Sequence, residues 1–279
     1  MKIELKTILD ESHQLAVFPT VVTEILQKVD DPTTTPAMFQ QIIIKDPLVT
    51  AKTLKLANSA YYGFPRAITT ISEAVVLLGL ETLKGLIIAI SAFNMLNKEI
   101  KGYKYQKDDF WHHSLSTALI TQKIAKRRHF ANTETYFIGG ILHDIGKLLL
   151  DHFRVSHYDR IEDFRHQNRV PDYLAEKSIL GYDHAEVGAA LADMWKFPSL
   201  LIDIIRYHHS PLKVNSQALQ YVKVVHVADV ISNDFLNKKQ EQINPLINQE
   251  LNISAEERAA IVSEVGAEMG AFTSEVRKD

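Results

Sequence analysis

The stretch Ile141-Leu142-His143-Asp144-Ile145-Gly146-Lys147-Leu148-Leu149-Leu150 decides how this chain reads. A histidine and a carboxylate stand side by side in a run that is otherwise apolar on every face, and a helix apolar all round is a buried one. Burying an imidazole beside an ionised carboxylate costs several kcal/mol unless both are paired or bound to a cation. A metal ion compensates both groups at once, because it accepts a nitrogen and an oxygen ligand together. The alternative is a histidine hydrogen-bonded to its neighbours, with Asp144 capping or pairing locally.

Working outward, four other places put histidine or aspartate in the apolar stripe of an expected helix. Asp109-Phe110-Trp111-His112-His113-Ser114 opens a helix that continues through Leu119, Ile120 and Ile124. In Tyr182-Asp183-His184-Ala185-Glu186, Asp183 and Glu186 have capping-box spacing, which places His184 in a first helical turn. His208 and His209 follow Ile204 and Ile205 by four residues and continue an apolar face, closed by Ser210-Pro211. Val222, Val225, His226 and Asp229 fall on one stripe of a further helix.

This ordered set, with His113, His143-Asp144, His184, His208-His209 and Asp229, resembles the HD superfamily of metal-dependent phosphohydrolases. The form His143-Asp144-x-Gly146-Lys147 and the paired histidines are most similar to the HD-GYP branch. The N-terminal half resembles the HDOD domain, a signalling relative. The matching residues are Phe18-Pro19 ahead of an amphipathic helix (Val22, Ile25, Leu26, Val29), Asp46-Pro47, Leu56-Ala57-Asn58-Ser59-Ala60-Tyr61-Tyr62-Gly63, and Ile71, Ala74, Val75, Leu78 and Gly79. The resemblance runs from about Leu15 to about Ile231.

The resemblance implies an all-α, multi-helix HDOD fold with an N-terminal helical lobe and an HD-like helical lobe. It also implies two divalent transition-metal ions bridged by Asp144. His113, His143 and Asp229 complete one site, and His184, His208 and His209 the other. Imidazole with carboxylate suits Fe, Mn, Zn or Ni. Asp144 and Lys147 are the implied catalytic residues, Lys147 either contacting a substrate phosphate or snorkelling to the surface. Asp109 stands where some HD-GYP proteins place a third-metal glutamate, with helix N-capping as its alternative. After His209 the chain reads Ser210-Pro211-Leu212-Lys213-Val214-Asn215 and lacks the Gly-Tyr-Pro signature, which speaks against cyclic-di-GMP hydrolysis. Two functions remain open: a signal-transduction protein that meets signalling proteins or a phosphorylated small molecule, and an active phosphohydrolase acting on a nucleotide or phosphodiester.

Composition bounds the rest. With 279 residues, 46% hydrophobic and 23% charged, the chain is long enough for one large domain or two modest ones. It has no cysteine, so disulfides, thiolate metal sites and cysteine nucleophiles are excluded. A formal charge of -3 gives no support for broad binding to nucleic acid. No apolar run reaches membrane-spanning length, and the charged start Met1-Lys2-Ile3-Glu4 is unlike a secretory signal; a cytoplasmic location is expected.

Nearly every periodic segment repeats at three to four residues, as helices do. Thr35-Pro36, Asp46-Pro47, Ser72 before Glu73, and Ser254 with Glu257 mark helix starts. The expected division is an HDOD unit over 1–236, with lobes at 1–107 and 108–236 joined by a connector at 102–107, then a helical tail over 237–279. Gly139, Gly140 and Gly146, and the small stripe Ala185, Gly188, Ala189 and Ala192, would let helix backbones approach closely. His112 is expected off the apolar face and exposed, and His226 to be a partner of the ligands or a packed core residue. His13, His129, His152, His157 and His166 are expected at the surface or in loops.

Overall fold

The structure is a computed structural model that describes residues 3–10, 20–28, 33–59, 62–238 and 242–277. Phe18-Pro19, Val29, His13 and Ala60-Tyr61 lie outside the described residues. The fold is all-α: among the described residues the only β-type pairing is an isolated bridge between Ile100 and Tyr105. The first helices are α1 (Leu5–Asp10), α2 (Thr20–Gln27), α3 (Pro36–Ile43), α4 (Pro47–Ala57), α5 (Ile71–Leu78) and α6 (Leu80–Leu96). The next are α7 (Asp109–Arg127), α8 (Thr133–Leu142), α9 (Lys147–Ser156), α10 (Tyr158–Asn168) and α11 (Asp172–Leu180). The chain closes with α12 (His184–Met194), α13 (Ser199–Tyr207), α14 (Leu219–Phe235), α15 (Pro245–Leu251) and α16 (Ala255–Arg277).

Local chemistry sets these boundaries. Thr35 and Asp46 accept hydrogen bonds from the first-turn amides of Met38, Leu48 and Val49, and proline opens each helix behind them. The cap of α5 is Thr70 rather than Ser72. Thr70 accepts from Glu73 N, while the Glu73 carboxylate reaches back to Thr69. Gly79, at φ 83°, takes the left-handed conformation that lets α6 leave α5 at a bend of 118°. Among the described residues no single helix is long and apolar enough to cross a membrane.

The lobes are tied together in three places. Helix α6, buried along most of its length, packs on α4 and α5 on one side and on α8 on the other. Helix α1 crosses to pack on α12 and α9, and Ile3 N donates to Leu180 O. The tail forms α15 and α16, and α16 lies along α7 and α4. Trp111 links all three parts: its ring meets Phe93 edge-on at 5.0 Å, packs near Phe272 at 6.2 Å, and donates Nε1–H to Thr273. Of the expected capping box in the tail, Ser254 accepts from Glu257 N, but the Glu257 carboxylate turns to Arg128 instead.

The close helix approaches expected from small residues are present. A Cβ on Gly140 would lie 2.5 Å from Ala118 Cα, and one on Gly146 would lie 1.9 Å from His184 O and 2.5 Å from Gly188 N. The backbones of the 143–146 turn and of α12 therefore touch directly, bringing His184 against Asp144.

Candidate metal centre

The apolar run at 141–150 is not one helix. Helix α8 stops at Leu142, residues 143–146 form a turn, and α9 begins at Lys147. His143 and Asp144 thus leave the end of a helix rather than its side. His208 and His209 likewise follow the last residue of α13, and His184 is the first residue of α12 behind its Asp183 cap. His113 and Asp229 project from within α7 and α14. Helix ends supply most of the cluster because their side chains can converge without the spacing of a continuous helix. The rigid α7–α14 pair supplies the wall they converge on.

All seven expected ligands come together around Asp144. Its Oδ2 lies 3.2 Å from His113 Nε2 and 3.4 Å from His143 Nε2. Asp229 Oδ1 closes that side at 3.2 Å from His113 and 3.6 Å from His143. Asp144 Oδ1 lies 3.1 Å from His184 Nε2 and 3.6 Å from His208 Nε2, while His209 Nε2 stands 2.8 Å from His184 Nε2. Asp144 with His184, His208 and His209 forms one group whose ligand atoms all lie within 4.8 Å of one another. His113 with His143 and Asp144 forms another, and His143 with His208 and Asp229 a third.

The imidazoles are fixed by their other nitrogen. His143 Nδ1 donates to Gly140 O at 2.8 Å and His208 Nδ1 to Ile205 O at 2.7 Å. A carbonyl can only accept, so in the neutral ring the lone pair sits on Nε2, facing Asp144. His113 Nδ1 meets Ser232 Oγ at 3.2 Å. His184 Nδ1 donates to Glu176 Oε2 at 2.7 Å, a carboxylate–histidine pair of the kind that orients metal ligands.

Buried polar atoms normally have partners. Here His113 Nε2, His143 Nε2, His208 Nε2 and Asp144 Oδ1 are buried and make no hydrogen bond. Four such atoms in one cluster, all nitrogen or oxygen ligands, fit divalent transition-metal binding. The protons tell the same story. Burial would lower the His143 and His184 imidazoles, but the neighbouring carboxylates outweigh it and hold them at about 9 and about 10. Burial lowers His208 to about 4. Against burial, which would raise it, His143, Lys147 and His184 hold the Asp144 carboxyl well below the usual range. Without a metal, protons on two histidines balance the carboxylates.

Lys147 does not snorkel. Its ammonium bonds Asp144 Oδ2 and lies over the rings of Tyr103 and Tyr105, 5.4 and 5.6 Å from their centroids. These tyrosines belong to the expected connector, which forms a 3-10 turn at Lys101–Tyr103 and folds against the site. Asp109 does not cap α7. It accepts from Gln106 N and pairs with Lys238, whose ammonium lies over the Tyr105 ring. His226 donates from Nδ1 to His208 O at 2.9 Å and so holds the turn that presents His208 and His209. His112 is half-buried rather than exposed, as is His157, which bonds Phe153 O. His129, His152 and His166 are exposed.

Two functional residues escaped sequence reasoning. Glu176 is fully buried and bonds both the ring and the backbone N of His184. Burial would raise its carboxyl, yet His184 and Arg154 pull it to about 2. Arg154, also buried, joins Glu176 (3.0 Å), Glu162 (3.2 Å), Asp172 (3.4 Å) and Gly102 O (2.5 Å). Each is a charged residue within a helix, and nothing in the local pattern shows that packing buries it.

Six of the seven ligands are nearly sealed, with exposures of 0–3%; His209 alone is half-buried. It lines a cleft of about 530 Å³ together with Arg165, Arg169 and Tyr173. Tyr173 stacks on His209 at 4.4 Å and 5°.

An all-helical fold with a histidine–aspartate cluster at its centre defines the HD class. Residues 15–211 match the HDOD domain, and the chain belongs to that family. Asp229 lies beyond the matched span, and the fold returns it to the cluster. The chain is similar to an HDOD domain protein of unknown function from Geobacter sulfurreducens, at 25% identity and TM-score 0.72 over 99% of each chain. It is similar to a candidate phosphohydrolase from Shewanella amazonensis, at 27% identity and TM-score 0.71, over 96% of this chain and 97% of that one. A ribonuclease Y from Mycoplasmoides gallisepticum is 29% identical over 185 residues, which are 63% of this chain and 28% of that protein. The chain spans less than two fifths of the length of the curated relatives it matches.

Proposed function

We propose that this HDOD protein is a signal-transduction protein organised around a dinuclear divalent-metal centre bridged by Asp144. The observation that carries the reading is the set of four buried, unbonded ligand atoms facing one another across Asp144. His113, His143 and Asp229 would hold one ion and His184, His208 and His209 the other. Its partners would be signalling proteins or a phosphorylated small molecule.

The cleft at His209 favours a second reading, an active phosphohydrolase. A divalent pair would supply Lewis-acid charge to a phosphoryl centre and acidify water. This chain's own residues would do the rest. Arg165 and Arg169 would receive phosphate at the mouth of the cleft. Lys147, now on Asp144, is close enough to the cluster to transfer a hydrogen bond to a phosphoryl oxygen. The similarity to a candidate phosphohydrolase and to a ribonuclease Y supports phosphoester chemistry.

The test is anaerobic titration with Mn(II) or Fe(II), followed by assay of bis(p-nitrophenyl) phosphate, a cyclic dinucleotide and a short RNA. Saturation at about two ions per chain supports the metal centre. Hydrolysis that appears only with metal selects the enzyme reading, and loading without hydrolysis selects the regulatory one. Failure to bind either metal contradicts both.

A further inference from the structure

Away from the metal centre, one cavity of about 310 Å³ lies where α5 and α6, α7 and α8, and α16 meet. Phe64, Phe137 and Phe272 give it aromatic walls, and Glu134 stands at its polar end. Its lining is mixed, with Thr82, Gln122, Lys126 and Glu134 set among these apolar walls, and it lies at a junction of structural units, where ligand pockets commonly form.

Glu134 lies in the first turn of α8, where a carboxylate interacts favourably with the helix dipole even from solvent. Its side chain turns inward instead. Gln122 Nε2 donates to Oε2 at 2.8 Å, and Thr82 Oγ1 reaches Oε1 only at 3.5 Å. Burial pushes the carboxyl up, Lys126 pulls it down and Glu81 pushes it up again. Lys126 is exposed and bonded to Gln122 Oε1 at 3.0 Å, and Glu81 is paired with Lys84 at 2.8 Å.

Gly85 is the second observation. It sits within α6, where glycine is less favourable than alanine. A Cβ there would stand 3.3 Å from Glu134 Oε2 and 3.4 Å from the Phe137 ring. Its absence keeps the carboxylate open to the cavity.

We propose that this cavity binds a small organic cation with an aromatic or apolar body, its ammonium on Glu134 and its body against Phe64 and Phe137. The occupant would touch the N-terminal helices, the helices that carry the metal ligands, and the tail. It would thus give a signalling protein an input site distinct from its metal centre, and it holds whether or not that centre binds metal.

Phenethylamine is the probe, with phenethyl alcohol and 3-phenylpropionate as isosteric controls, on the full chain with and without metal. Ligand-observed NMR and thermal unfolding should show saturable binding of the amine below 10 mM. The two controls should bind at least tenfold more weakly, and Glu134→Gln should weaken the amine at least tenfold. A crystal of the amine complex gives a readout that needs no variant: the ammonium should lie within hydrogen-bond distance of Glu134. Equal binding of amine and alcohol, unchanged affinity in Glu134→Gln, an amine seated elsewhere, or no saturation by 10 mM would each overturn the proposal.

Discussion

Asp144 Oδ2 lies against His113 and His143, with Asp229 beyond them, while Oδ1 lies against His184 and His208, with His209 beside His184, and the two triplets are held by different means. The first is sealed. Its members are at most 3% exposed, two of them project from the packed α7–α14 pair, and the known backing groups are neutral, Gly140 O and Ser232 Oγ. In the second, His184 is backed by an ionised pair, Glu176 with Arg154, His208 by the neutral Ile205 O, and His209 opens onto the cleft. The sealed half has no exposed member. In the open half a ligand meets solvent, arginines and a tunable anion. On the proposed reading, the sealed half anchors and the open half responds.

The largest effect should come from the atom pair the halves share. Asp144→Asn removes the bridging anion from both and should lower metal content from about two ions per chain to near none. Elemental analysis checks this, with circular dichroism confirming the fold. Glu176→Gln keeps the shape of the side chain that holds His184 but not its charge. Loss of such an orienting partner costs about 10–100-fold in metal affinity. Calorimetric titration should show that loss in one of two binding steps, with the sealed step unchanged; an equal loss in both would erase the distinction between the halves.

A pH titration of stability sharpens the comparison further. In metal-free protein His143 and His184 have folded values of about 9 and about 10, above the unfolded 6.5. Their contribution is complete below pH 6.5 and is lost as pH rises through 9 to 10. His208, lowered to about 4, contributes above 6.5, and that contribution is lost as pH falls toward 4. Denaturant unfolding should therefore show a maximum near neutrality that falls on both sides. Metal needs neutral imidazoles, so loading should abolish the alkaline fall and release protons. The smallest effect concerns the cleft. Arg169 is a surface cation whose screened contact is worth at most about 1 kcal/mol, so Arg169→Ala should raise KM about fivefold or less for a phosphodiester substrate and leave kcat unchanged.

Much of this was legible in the chain. Periodicity of three to four residues gave helices, and Thr35, Asp46 and Asp183 marked where they begin. The seven residues that converge on the cluster could be picked out because each is a polar residue beside or within an apolar stretch, an anomaly that burial makes costly. What could not be read were the interruptions and the supports. Apart from His143, Asp144 and Lys147 the run from Ile138 to Leu150 carries no polar side chain, so its pattern is blind to the turn at 143–146, where Gly146 packs directly on Gly188. Glu176 and Arg154 look like ordinary solvent-facing charges, because only tertiary packing buries them. The connector read as a spacer, since nothing local shows that Tyr103 and Tyr105 fold over Lys147.

The most direct test is an anomalous-diffraction map from a crystal loaded anaerobically with manganese or iron. The account predicts two peaks astride Asp144, one against His113, His143 and Asp229 and the other against His184, His208 and His209. The second peak should weaken first on exposure to chelator. A single peak away from Asp144, or none in a crystal that binds metal in solution, would contradict it.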